Sequence, residues 1–204
     1  MKHLMRLLIA TGMLASLTAC QGKFVPDPID PRLPRISTEG ANVAGAFMNG
    51  QRWEAVQTGS WSFGGGLDGN LIILLDSVQQ TLQLTLDGQR EGPDGSLSEP
   101  RRISFRLDNA DGSLDRITGL RHRTFALDGP HHATVGADLF VDESLPPELS
   151  RAGQLYIHYV ERSSEEPGSY YYTVAGTFWL TIDCEGCTPY EVHSGRFDYQ
   201  VPDY

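Results

Sequence analysis

Along much of this chain apolar and polar residues alternate one by one. Gln80–Leu86 puts Leu82, Leu84 and Leu86 on one face, and Arg102–Leu107 does the same with Ile103, Phe105 and Leu107. Phe178, Leu180 and Ile182 repeat the pattern, as do Phe197, Tyr199 and Val201. Successive side chains of an extended strand point to opposite faces, so this period predicts half-buried β-strands. Turn-forming clusters punctuate it at Asp87-Gly88, Pro93-Asp94-Gly95, Asp111-Gly112, Asp128-Gly129-Pro130 and Pro167-Gly168. The spacing predicts roughly ten strands in an antiparallel sandwich or barrel. Leu71–Leu75 is apolar at every position, the pattern of a central strand buried on both faces. At most one short helix is expected, over Pro146–Ala152, which opens on proline and stops at Gly153.

Length and composition narrow the class. A chain of 204 residues suits one domain and can bury a core without a metal or a disulfide framework. With 40% hydrophobic residues, 22 Gly and 12 Pro, it is not collagen-like, coiled-coil or wholly disordered. The net charge of −10 becomes −12 once Lys2 and Arg6 are set aside with residues 1–19. Such a surface repels phosphate backbones, so no nucleic acid is expected as a partner. Lys2 and Lys23 are the only lysines, which leaves the rest of the chain without a Schiff-base or phosphate-loop lysine.

Lys2 and Arg6 precede the apolar stretch Leu7–Leu17. This is the form of a signal segment, too short for a membrane span. It ends in Leu17-Thr18-Ala19-Cys20, which resembles a bacterial lipobox. The resemblance implies that residues 1–19 are a signal peptide, that Cys20 carries the acyl chains and that the membrane is a partner through them. Gln21 in place of Asp implies sorting to the outer membrane. Residues 20–38 carry Pro26, Pro28, Pro31 and Pro34 and read as a semi-rigid tether. Residues 39–204 are then a single all-β domain.

Candidate chemistry is sparse. Cys184-Glu185-Gly186-Cys187 fits a turn stapled by a disulfide, since turn ends lie close enough for one. A redox reading lacks the helix that would lower a thiol pKa, and a zinc reading has only His193 to add. His131-His132 and the acidic stretch Asp108–Asp115 read as turns; the latter is out of step with a calcium loop. Gly64-Gly65-Gly66 leads to a strand, not to a helix with a phosphate-binding lysine. No nucleophile elbow or zinc-protease motif occurs. Neither a catalytic residue, a metal site nor a cofactor is therefore assigned. Trp53, Trp61, Tyr170, Tyr172 and Trp179 are the candidate ligand platform, because sugar rings stack on aromatic faces. Ordinary strand packing accounts for the same residues.

Two stretches carry a family resemblance. Thr38-Glu39-Gly40-Ala41-Asn42 leads through Gly45-Ala46-Phe47-Met48-Asn49-Gly50 to Trp53, and Gly176-Thr177-Phe178 is followed by Gly195-Arg196-Phe197-Asp198. Together they resemble an uncharacterised family of Bacteroidota lipoproteins, which implies a location and no activity. Read physically, Asn49-Gly50 is a tight hairpin turn, and Gly195 marks a bulge or close approach in the last strand. The sequence thus leads to a lipid-anchored all-β envelope protein that binds or scaffolds, with a glycan or an envelope protein as partner. A glycan-acting hydrolase is the alternative.

Overall fold

A computed structural model describes residues 25–55, 71–136, 149–166, 169–183 and 189–203. The chain is all-β, with ten antiparallel strands in one nearly closed, barrel-like sheet. In chain order they are β1 (Val43–Met48), β2 (Gln51–Glu54), β3 (Leu71–Asp76), β4 (Thr81–Glu91), β5 (Leu97–Asp108), β6 (Arg123–Ala126), β7 (His132–Gly136), β8 (Ser150–Glu166), β9 (Ser169–Ile182) and β10 (Tyr190–Pro202). The neighbour order is β6-β8-β9-β10-β1-β2-β4-β5-β7, with β3 attached to β4. Among the described residues the helical piece is a single 3-10 turn, Ile117–Leu120.

The alternating stretches fold as their period dictates. Leu82, Leu84 and Leu86 of β4 and Ile103, Phe105 and Leu107 of β5 point into the core. Phe178, Leu180 and Ile182 of β9 join them there with Phe197, Tyr199 and Val201 of β10. Asn49 and Gly50 both take positive φ, 51° and 77°, and bring Met48 opposite Gln51, as a primed hairpin turn requires. The β10 register shifts between Val192 and Gly195. A Cβ on Gly195 would lie 2.4 Å from the Phe178 ring, so the bulge makes room for that ring.

Four expectations are corrected. Asp87-Gly88 is not a turn but part of β4; Asp87 accepts from Arg102 Nε at 2.6 Å across to β5, a cross-strand ion pair. Residues 150–152 are not helical; Ser150 begins β8 opposite Ile182, and Pro146, Pro147 and Glu148 lie outside the described residues. Leu71–Leu75 is not a central strand. β3 pairs with β4 alone among the described strands, leaving Leu74 56% and Leu75 46% exposed.

The fourth concerns the tether, which in residues 25–38 is no free spacer. Leu33 is buried, and backbone bonds from Asp27 N to Leu33 O and from Arg35 N to Val25 O fold the segment into a loop. Asp27 pairs with Arg196 of β10 at 2.6 Å in a largely buried site. The Arg32 guanidinium lies 4.5 Å from the centre of the Phe47 ring. Buried leucine and paired charge together outweigh the extended preference of the prolines.

The sheet has two seams. At the first, β7 meets the start of β8. The buried Ser150 hydroxyl donates to Leu127 O at 2.6 Å and accepts from Ala133 N at 2.8 Å. Leu127 N reaches Gly153 O beside it. At the second seam β3 faces the end of β10. β2 and β3 lie in one row on β4, β2 against Gln89 and Arg90 and β3 against Thr81–Leu86. β1 covers β2 but ends at Val43, opposite Asp198. Beyond that point no described strand lies between β10 and β3.

Candidate functional site

The cause of the second gap lies just before β1. Gly40 and Asn42 adopt positive φ, 68° and 55°, and turn the chain out of the sheet. Asp198 holds it there. Its buried carboxylate accepts backbone N–H bonds from Glu39 at 3.0 Å, Gly40 at 2.9 Å and Ala41 at 3.3 Å, and the Ser37 hydroxyl. Successive N–H groups in such a turn form an anion-holding concavity. Asn42 Oδ1 then accepts Gln200 N at 2.9 Å. The two motifs at opposite ends of the sequence are therefore one clasp. Thr38–Asn42 supplies the donors and Gly195–Asp198 the acceptor, with Arg196 bound to Asp27 next to it. These motif residues hold the fold together.

The gap itself is a half-open cleft of about 820 Å³, within the range of ligand-binding pockets. One wall is Leu71, Ile72, Ile73, Leu74 and Leu75 of β3. Five consecutive residues belong to both faces of the strand, so it is the edge of β3 that borders the cleft. Leu82 and Leu114 are buried behind it. The far wall is Tyr172 and Val201, and the rim carries Arg116, Asp115, Arg162 and Asp203. Three of those four charges are engaged. Arg162 pairs with Asp203 at 2.7 Å, and Asp115 accepts from Asn109 Nδ2 at 2.8 Å. The exposed Arg116 has no ionic partner among the described residues.

Among the described residues the aromatic platform is not assembled. Trp53 is fully buried and donates its indole N–H to Arg101 O at 2.8 Å, so it belongs to the core. Trp179 is exposed but stands on the face of β9 opposite to Tyr170 and Tyr172. Tyr170 lies under the Arg162 guanidinium at 4.0 Å, and Tyr172 packs on the core at the cleft wall. Trp61, Cys20, Cys184 and Cys187 lie outside the described residues, as does the Gly64–Gly66 run.

The remaining polar candidates are occupied by their own folds. His131 Nδ1 accepts Asp108 N at 2.9 Å and its ring meets Phe125 edge-on; burial pushes its pKa below the usual value. His132 starts β7. The acidic stretch closes on Asn109, whose Oδ1 accepts Leu114 N at 2.6 Å. Among the described residues no group of three or more His, Cys, Asp or Glu is placed to hold a metal ion. Sequence reasoning missed Arg116, Leu114, Ile117, Arg162 and Asp203 as neighbours of Leu71–Leu75. Only the unbroken apolar run carried a signal, and it pointed to the sheet interior.

Comparison with known protein families, curated proteins and solved structures finds no match to this chain.

Proposed function

We propose that this chain is a lipid-anchored protein of the bacterial cell envelope, at the outer membrane, that binds a partner through the β3 cleft without catalysing a reaction. The binding part of this reading rests on the cleft: a strand with exposed aliphatic residues bordering an open space. Exposed apolar surface of this kind marks interaction sites. The anchoring part is supported by the signal-like residues 1–19 and Cys20, and by the resemblance of the clasp motifs to Bacteroidota lipoproteins. Cys184 and Cys187, in the connection between β9 and β10, are proposed as a disulfide, which the oxidising envelope favours. Among the described residues the aromatic candidates do not share one face, so the glycan-platform reading draws no support from them.

Two measurements test the reading. The dye anilinonaphthalene sulfonate, apolar with one negative charge, should brighten on residues 21–204 and lose that signal in Leu75→Asp. Equal signal from both proteins removes the cleft as the site. Labelling of growing cells with tritiated palmitate should mark the full chain and leave Cys20→Ser unmarked; label on both refutes the anchor.

A further inference from the structure

We infer that the occupant of the cleft is an extended strand of a partner polypeptide, apolar in sequence and carrying a carboxylate at one end, which adds to the free edge of β3. This deepens the binding reading and rests on it.

The edge decides the chemistry. β3 uses its pairing with β4 over all of Leu71–Asp76, without a register shift, and no described strand lies on its other side. The amides pointing away from β4 therefore face the cleft. An acyl chain laid over them would remove water and return no hydrogen bonds, leaving buried donors and acceptors unpaired. A strand returns them all, which is the basis of recognition by strand addition. Natural sheets blunt exposed edges with lysine, proline or a bulge. The opposite wall is blunted in this way: Gln200 N is taken by Asn42 Oδ1, and Pro202 has no N–H. β3 has none of these devices before Asp76. The side-chain environment agrees. Leu71, Ile73, Leu82 and Val201 offer an apolar lining, and Arg116 is the one rim charge left over among the described residues. A carboxylate on the incoming strand supplies its counter-charge.

The probe is a short peptide alternating threonine and valine and ending in glutamate, with a fluorophore on its N-terminus and an amidated C-terminus, followed by fluorescence anisotropy as residues 21–204 are titrated in. It should bind and slow hydrogen exchange at alternate amides of β3. Two further peptides, N-methylated on one or the other set of alternate amides, separate pairing from greasiness. One should lose about tenfold or more in affinity and the other much less, because only one set faces β3. Arg116→Gln should weaken the glutamate peptide severalfold and leave its glutamine counterpart unchanged. Leu74→Lys, at an exposed position and checked by its melting temperature, should abolish binding. Equal loss from both methylated peptides overturns the strand. So does binding of laurate with no binding of the peptide, which leaves the cleft a binding site for another ligand. Protection of β3 by dimerisation of the protein alone assigns the edge to a second copy and also overturns it. Binding of neither peptide nor laurate overturns both this inference and the proposed function.

Discussion

Between β7 and β8 one buried hydroxyl joins two strands that are not paired in a ladder; between β3 and β10 aliphatic side chains face an open space. Both places answer the same need, since a sheet that curls into a barrel must dispose of its last edges. Ser150 closes the first by giving one bond and taking another. The second stays open because Gly40 and Asn42 lead the chain out of the sheet, and Asp198 fixes it outside. Where the edge is closed, one buried hydroxyl satisfies both a carbonyl and an amide. Where it is open the wall is apolar, and its backbone groups face outward. The difference separates a position held for stability from the one proposed above as a binding edge.

Changes at the closed seam should cost most. Ser150→Ala leaves Leu127 O and Ala133 N buried without their partner, and should destabilise by about 3 kcal/mol in urea denaturation. A loss below about 1 kcal/mol would mean that the seam is held by packing instead. At the margin of the open seam, Asn42→Gly keeps the positive φ and removes the cap on Gln200. A loss of about 1 kcal/mol is expected, with faster exchange of the Gln200 amide.

Acid should loosen the barrel next, at His131 and His132 near the closed seam and at His158 beside the Ser37–Asp198 clasp. Burial is the main cause that holds His131, His132 and His158 below the usual histidine value of 6.5. The unfolded chain then takes up protons first as pH falls. Their stabilisation is complete above 6.5 and is lost as pH drops through the lowered folded values. For His131 the loss has a visible cause, because protonating Nδ1 breaks its bond from Asp108 N. The melting temperature should decline from about pH 7.5 to about pH 5.5; a flat profile contradicts the assignment. At the open seam the expected effect is smallest. Leu74→Lys should change stability by no more than about 0.5 kcal/mol, because the side chain is half in water already. A larger loss would show that β3 supports the barrel.

The sequence made the strands and the inward faces of β4, β5, β9 and β10 legible, since a period of two leaves little choice of face. It was less informative where one residue answers to a distant one. Gly88 reads as a turn until Asp87 finds Arg102 across the ladder, and Ser150 reads as a helix position until Leu127 and Ala133 converge on it. The prolines of residues 25–38 signal extension, but nothing local shows that Asp27 will meet Arg196. Leu71–Leu75 is the sharpest case. Buried strands and exposed edge strands share the same apolar composition, and only the length of β1, ending at Val43, distinguishes them here. The cleft draws on β3, β4, the Leu114–Ile117 segment and the ends of β8, β9 and β10, so no stretch of sequence contains it.

The docking of residues 25–41 changes how the molecule would sit on a membrane. With Cys20 as the lipid-bearing residue proposed above, only the chain from Cys20 to Val25 separates the bilayer from a fixed point on the barrel. Fully extended, that span reaches about 17 Å. A domain on so short a leash would have little freedom to tumble, and the side of the barrel bearing the Asp27–Arg196 pair would be kept near the lipid. The anchor would then act as a bearing that orients the molecule, and not as a mooring line.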